Sequence, residues 1–225
     1  MKPILAATSL CLFLLPGVVK ADTVSVSGQA TVVSPPSSVE GQSGSISLVF
    51  VEESVVLASP IAVNASGPGT YASLASLTGG TITAGTNVTS YYLHSLGPNQ
   101  GGSVFAGSIT FSTPILGVEA LEPGLVATNS VLGVPSTAYF SSNQAQGFEL
   151  GTQIDSFTIS PDGLTLTYTD ETFGFPDDLR IITATPIPEP SSVQLIAIGM
   201  VCGLFISLKR IFGSVPLADR AKGAS

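Results

Sequence analysis

Carboxylates are the side chains whose spacing in this sequence most readily indicates chemistry. Adjacent acids occur three times, at Glu52-Glu53, Asp170-Glu171 and Asp177-Asp178. A glycosidase needs two carboxyl groups about 5–9 Å apart in a cleft, usually beside aromatic side chains that stack on the sugar. The chain has no Trp, the commonest stacking residue, so the paired acids do not favour glycoside hydrolysis.

Calcium binding is the second chemistry that the acids could support. The candidate ligands are Asp170, Glu171, Asp177 and Asp178. They lie within nine residues, in and beside a loop that ends at Pro176, and calcium readily binds carboxylate oxygens. The alternative is a set of solvated loop acids, with Arg180 paired to Asp178 or Asp177. The sequence favours this alternative, because it contains no Asp-x-Asp-x-Asp-Gly loop.

Other residues associated with catalysis or metal binding are scarce. His94 is the only histidine, and the two cysteines, Cys11 and Cys202, lie in apolar segments near the ends of the chain. The region between those segments therefore cannot supply the three or four nitrogen or sulfur ligands of a zinc site. No Gly-x-Ser-x-Gly motif nominates a serine nucleophile. We expect His94 to have a structural role at the end of a strand, and we predict no cofactor.

The region between Asp22 and Ile187 is strongly acidic. It contains thirteen acidic residues and one basic residue, Arg180, a formal net charge of −12. A nucleic-acid-binding protein needs a basic surface, so that class is excluded. Without cysteine the region cannot form disulfides, and its stability must come from a hydrophobic core.

Short alternating segments predict that the acids are carried on β-strands. The candidate strands are 45–51, 55–57, 88–94, 103–111, 137–140, 148–150, 155–160, 164–169 and 179–183. The tripeptide Pro161-Asp162-Gly163 predicts a hairpin turn, because apolar residues alternate on both sides of it. No segment before residue 193 shows a helical period. The pattern predicts an all-β fold, a single jelly-roll-like β-sandwich at 45–185 preceded by an N-terminal segment at 22–44.

The two ends of the chain have the composition of export and membrane segments. A signal peptide is predicted at 1–21, with cleavage after Ala21. The prediction rests on Lys2, an apolar run at 4–15 and small residues at Val19 and Ala21. The uncharged run at 193–208 predicts a transmembrane helix that covers roughly 24 Å at about 1.5 Å per residue. Basic residues follow this run, so the positive-inside rule places the tail at 211–225 in the cytoplasm.

The C-terminal segment at 186–210 combines Pro188-Glu189-Pro190, the apolar run and Lys209-Arg210. This order resembles the PEP-CTERM sorting signal of Gram-negative bacteria. The resemblance implies that Pro188, Glu189 and Pro190 are recognised by exosortase, a membrane transpeptidase-like enzyme, and that Lys209 and Arg210 close the signal. It also implies Sec export with signal-peptidase cleavage and an inner-membrane-anchored precursor. The mature form would lie at the cell surface or in the extracellular matrix.

Two features bear on how far the resemblance extends. Fifteen residues follow Arg210, more than in the usual signal, so a retained single-pass anchor is the alternative. Segments between 88 and 183, among them 88–94 (VTSYYLH) and 178–183 (DLRIIT), resemble an ectodomain found ahead of such tails. That second likeness supports a compact β domain and implies no activity.

Two functions are consistent with these features. The first is a non-enzymatic exported surface or matrix protein, which the PEP-CTERM resemblance associates with exopolysaccharide and biofilm. The second is a secreted carbohydrate-binding module or hydrolase with a groove on the sandwich. A cleft that clusters Tyr91, Tyr92 and Tyr139 with carboxylates would favour the second function. Buried aromatic residues beneath an acidic surface would favour the first.

Overall fold

The computed structural model describes residues 24–98, 102–141, 146–152 and 154–185. All of them belong to one compact unit, Ala21–Pro186. The predicted signal peptide and its cleavage site, the Pro-Glu-Pro motif, the helix at 193–208 and the tail at 211–225 lie outside the described residues. In the part of the chain that is described, no helix is long and apolar enough to cross a membrane.

The described residues are mostly β-strand, as the sequence predicts. The strands are β1 Ser25–Gly28, β2 Ala30–Val32, β3 Ser47–Val56, β4 Ile61–Val63, β5 Gly69–Tyr71, β6 Gly80–Ile82, β7 Asn87–Ser95, β8 Ser103–Thr110, β9 Ile115–Glu119, β10 Ser156–Ile159, β11 Thr165–Thr172 and β12 Asp177–Ala184. The prediction of an all-β fold is confirmed. The predicted segments 45–51 and 55–57 are parts of the single strand β3.

The described part of the chain contains two five-stranded sheets. The first sheet has the order β1-β8-β11-β10-β5, and the second has the order β2-β3-β7-β12-β9. A separate two-stranded ribbon joins β4 and β6. Every ladder is antiparallel except that between β2 and β3. Consecutive strands β11 and β12 thus lie in different sheets, which brings the loop between them to a common end of both.

Apolar residues from both sheets share one core cluster. Phe105 and Tyr168 come from the first sheet, and Leu93 and Leu179 come from the second. All four side chains are fully buried, and burying a large apolar side chain contributes about 1.5–3 kcal/mol. A different cluster, which includes Tyr92 and Leu125, covers the opposite face of the second sheet. We call the face toward the shared core the inner face of the second sheet, and the opposite one its outer face.

The predicted hairpin around residues 161–163 is confirmed. Strands β10 and β11 pair antiparallel with Ile159 opposite Leu166. Asp162 Oδ1 accepts a hydrogen bond from the backbone N–H of Leu164 at 3.0 Å, and Gly163 has a φ of 71°. An Asp side chain that bonds its own backbone two residues on, followed by a glycine at positive φ, is a common turn chemistry.

The prediction that no helix precedes residue 193 is wrong. Helix α1 spans Glu122–Leu132 and buries Leu125, Thr128 and Leu132. Pro123 and Gly124 indicate a turn in sequence, but proline is tolerated in the first helical turn, where its missing N–H would have no partner. The predicted strands 137–140 and 148–150 are also wrong. These stretches contain or adjoin only the isolated bridges Ser38↔Ala138 and Leu121↔Gly147.

Candidate metal centre

An unusual number of ionisable side chains is buried in this domain. The buried acids are Glu52, Glu119, Asp155, Asp170, Asp177 and Asp178. The buried residues able to carry a positive charge are Arg180 and His94. Burying an unpaired charge is very costly, so each group must find a counter-charge, a proton or a metal ion. The acids divide into those that have a cationic partner and those that have none among the described residues.

Arg180 on β12 neutralises Glu52 on β3. Its Nε donates to Glu52 Oε2 at 2.7 Å, and its Nη2 donates to Glu52 Oε1 at 2.8 Å. The remaining donors reach helix α1, where they bond the carbonyl of Leu125 and the side chains of Thr128 and Asn129. All three nitrogens of the guanidinium group therefore donate hydrogen bonds, and these bonds connect α1 to the outer face of the second sheet. The predicted pairing of Arg180 with Asp177 or Asp178 is wrong.

Strand alternation in β3 places Glu52 against Arg180. Phe50, two residues earlier, belongs to the cluster on the outer face of the second sheet, so Glu52 lies on the same face. The hydroxyl of Ser90 donates to Glu52 Oε2 at 2.6 Å. The register between β3 and β7 shifts between Val51 and Ser54. Glu52 is buried while its neighbour Glu53 stays partly exposed.

His94 and Asp178 form a second buried pair on the outer face. His94 Nδ1 lies 2.7 Å from Asp178 Oδ1, and Nε2 lies 2.8 Å from the carbonyl oxygen of Gln42. A carbonyl can only accept, so Nε2 carries a proton. Burial alone would lower the pKa of His94, but the charge of Asp178 and the hydrogen bonds raise it. Tyr92 also donates to Asp178, at 2.8 Å. The structural role predicted for His94 agrees with this environment.

The acids without a cationic partner gather near the end of the two sheets where β11 leads to β12, on the side of the shared core. Carboxylate oxygens of Glu149, Asp155 and Asp177 lie within 4.8 Å of one another. Asp155 is held by two backbone donors, the N–H of Glu149 at 2.7 Å and that of Glu171 at 2.9 Å. These bonds fix the short segment before β10 against β11. We call Glu149, Asp155, Asp170 and Asp177 the carboxylate cluster.

Asp170 belongs to this cluster through its position and its electrostatics. It lies on the buried face of β11, and neither of its carboxylate oxygens has a hydrogen-bond partner among the described residues. The nearby hydroxyl of Ser95 donates instead to Ser47 at 2.8 Å. Burial raises the pKa of Asp170 to about 8, partly offset by Ser95, with Asp155 and Asp178 raising it further.

Asp177 is the most perturbed acid of the cluster. It is fully buried at the start of β12, and its Oδ2 has no hydrogen-bond partner within the described residues. Burial raises the pKa of Asp177 to about 11, reinforced by the charges of Asp155, Glu149 and Asp170. Burial also raises the pKa of Glu149. Carboxyl groups this close cannot all ionise without a cation, so the metal-free cluster holds protons.

The structure brings together two of the four acids that the sequence nominates as calcium ligands. Asp170 and Asp177 both lie on the side of the shared core, near the end of the sheets where β11 leads to β12. Asp178 lies on the outer face with His94, because successive residues of a strand face opposite sides. Glu171 contributes its backbone N–H to Asp155, and its side chain is only partly buried.

Glu149 and Asp155 are the members that sequence reasoning missed. Each stands alone among polar and apolar neighbours, so no spacing marks it as a ligand. The separation of Asp177 from Asp178 was also missed, because the predicted strand 179–183 begins after both residues, whereas β12 begins at Asp177 and puts adjacent residues on opposite faces. The partners of Asp177 depend on which strands the chain brings beside β12.

Glu119 is a further buried acid without a complete set of partners. It is opposite Arg180 in the β9–β12 register, but its Oε2 has no hydrogen bond within the described region. Burial raises the pKa of Glu119 to about 7, against the lowering effect of Arg180. Glu119 is one of the residues that line a cavity of about 420 Å³ between α1 and residues 58–64.

The aromatic residues that could line a sugar cleft are largely inside the protein. Tyr91 and Tyr92 are fully buried. Tyr139 is partly buried and contacts the edge of Tyr92 with ring centroids 5.2 Å apart. Comparison with protein-family models, with curated proteins and with solved structures gives no match to this chain.

Proposed function

We propose that this chain is a non-enzymatic exported protein of the cell surface or extracellular matrix. Its precursor is anchored in the inner membrane by the segment at 193–208 and sorted through the PEP-CTERM-like signal at 186–210. The folded part is a single jelly-roll-like β-sandwich, a proposal supported by the core cluster that both sheets share. Exosortase, signal peptidase and extracellular polysaccharide are the partners that the resemblance implies.

The non-enzymatic part of the proposal rests on the side chains best suited to catalysis, His94 and Arg180. Both are buried, and their polar atoms are hydrogen-bonded within the protein. Both ring nitrogens of His94 are engaged, and its side chain is 1% exposed. Arg180 is 0% exposed and donates to Glu52 and to three groups on α1. A general base or an electrostatic catalyst must reach its substrate. These groups instead hold helix α1 and strand β12 in place.

The surface charge suits a location in the extracellular matrix. Arg180 is the only Lys or Arg between residues 22 and 187, and it is buried. The exterior of the described region therefore carries acids and no Lys or Arg. Such a surface repels other copies of itself and stays soluble. The burial of Tyr91 and Tyr92 supports this function over the carbohydrate-binding or hydrolase alternative.

The Pro-Glu-Pro motif provides the experiment that tests the sorting part of the proposal. Two prolines around Glu189 remove two backbone donors and restrict φ, a sequence that disfavours both a sheet and a helix. We expect Glu189→Gln to leave folding unchanged and to trap the chain in the inner membrane with its C-terminal segment attached. Mass spectrometry of the membrane and released fractions gives both termini of each product.

Glu40→Gln is the matched control, because Glu40 is an exposed glutamate of the folded domain. We expect this variant to be trimmed and released like the parent. Trimming and release of Glu189→Gln at the parental level would contradict the sorting hypothesis and leave the C-terminal segment as a simple anchor.

A further inference from the structure

We propose that Glu149, Asp155 and Asp177 of the carboxylate cluster bind one calcium ion, with Asp170 as a neighbouring buried acid. The site lies near the point where β11 of the first sheet passes to β12 of the second. The proposed ion would join the segment before β10 to β12. This inference is independent of the sorting signal and of the surface location proposed above.

The spacing of the oxygens fits a single calcium ion. Calcium binds oxygen ligands at about 2.3–2.6 Å, so two ligands of one ion lie at most about 5 Å apart. Ligand oxygens of Glu149, Asp155 and Asp177 lie within 4.8 Å of one another. Each carboxylate oxygen has two lone pairs, so Asp155 can accept its backbone hydrogen bonds and still bind a metal ion.

An unpartnered oxygen is an independent sign of a missing ligand. Asp177 Oδ2 has no hydrogen-bond partner in the described residues. Asp177 is 1% exposed. Buried carboxylates normally have several donors, since desolvation without compensation is costly. A cation bound between Glu149, Asp155 and Asp177 would satisfy this oxygen.

The charge balance of the domain leaves this cluster without a counter-ion. Arg180 lies against Glu52, and His94 lies against Asp178. No other Lys, Arg or His occurs between residues 22 and 187. The cluster must therefore be neutralised by protons or by a cation from solution.

The donor set favours calcium over other common divalent ions. All three side chains offer oxygen and none offers the nitrogen or sulfur ligands that zinc prefers. Magnesium requires near-ideal octahedral geometry at about 2.0–2.1 Å and usually keeps several waters. A site built from three carboxylate groups matches the all-oxygen, flexible coordination of calcium.

Calcium binding at this site must displace protons. Three carboxyl groups whose oxygens lie within 4.8 Å of one another cannot all be ionised without a cation. Carboxylates bind calcium in the ionised form. We therefore expect protons to leave when the ion binds, and the affinity to rise with pH.

The experiment is calorimetric titration of calcium into the full-length chain, purified in detergent and stripped with a chelator. Repeating the titration in two buffers with different ionisation enthalpies gives the number of protons released. We expect one ion per chain, filled at about 1 mM calcium or below, the range of extracellular calcium modules. Magnesium at the same concentration should bind at least about tenfold more weakly.

Asp177→Asn is the decisive variant, because it keeps the shape of the side chain and removes the charge of one of the three proposed ligands. Loss of an outer-shell partner already weakens metal sites by about 10–100-fold, so loss of a direct ligand should cost at least as much. The metal-free variant should nevertheless melt at a higher temperature than the metal-free parent near neutral pH, because one of three crowded carboxyl groups is removed. A purely structural role for Asp177 would not move these two readouts in opposite directions.

Glu40→Gln is the control for the loss of one acid from the surface, and we expect unchanged calcium affinity and melting temperature. Glu149→Gln is a second test if Asp177→Asn does not fold, because Glu149 is only partly buried. The proposal is overturned if 1:1 calcium binding is not detected at about 1 mM. It is also overturned if magnesium binds equally well, or if both variants bind calcium as tightly as the parent.

Discussion

Replacing Glu52 by Gln tests the central structural role assigned to Arg180. The substitution is nearly isosteric, so it opens no cavity in the core. It removes the negative charge beside Arg180 and replaces one acceptor oxygen by an NH2 group. The bonds at 2.7 and 2.8 Å cannot both persist, because that NH2 group would face one of the guanidinium donors. Arg180 would then be a buried cation without a counter-ion.

The expected cost follows from the burial of the pair. Both side chains are 0% exposed. Breaking a buried ion pair by removing one partner typically costs about 3–5 kcal/mol, because the remaining charge is uncompensated. A domain of this size loses about 2–4 °C of melting temperature per kcal/mol, so we expect a decrease of roughly 6–20 °C. Helix α1 should also open locally, since Arg180 bonds Leu125, Thr128 and Asn129.

Urea denaturation of the full-length chain followed by tyrosine fluorescence measures the loss, and hydrogen exchange of the α1 amides measures the local opening. Glu53→Gln is the matched control, because Glu53 is adjacent in sequence but only partly buried. Surface substitutions usually stay within about 0.5 kcal/mol. If Glu52→Gln and Glu53→Gln destabilise equally, the reasoning about the buried pair is refuted.

Two further predictions concern pH and are tested by denaturation of calcium-loaded protein at a series of pH values. Because the pKa of His94 is raised in the folded state, the pair with Asp178 contributes fully below the unfolded pKa of about 6.5, and this contribution is lost as pH rises through the folded pKa. His94→Asn should remove that decline, and a decline of unchanged size in this variant would contradict the assignment. Because the pKa of Glu119 is raised to about 7, the parent loses stability as pH rises from about 4.5 to about 7, and this loss is complete at higher pH. Glu119→Gln should match the parent near pH 4 and exceed it by about 3 kcal/mol near pH 8, and equal stability at both pH values would refute this prediction.

Local sequence patterns determined the features that depend on neighbouring residues. The alternation of Phe157 and Ile159, and of Leu166 and Tyr168, around an Asp-Gly turn predicted a hairpin whose register the structure confirms. Strand and turn propensities act over a few residues and need no knowledge of the rest of the fold. Composition likewise established that the region between residues 22 and 187 has one basic residue, Arg180, and thirteen acidic ones. The end segments remain sequence predictions.

Only the tertiary structure decided which acids meet and what neutralises them. Glu52 and Arg180 are 128 residues apart in sequence, and they meet because β3 and β12 both flank β7. Asp177 and Asp178 are adjacent but belong to different environments, since strand alternation sends one to the carboxylate cluster and the other to His94. The energy of a buried charge depends on partners that sheet order brings together, and sheet order is a property of the whole chain.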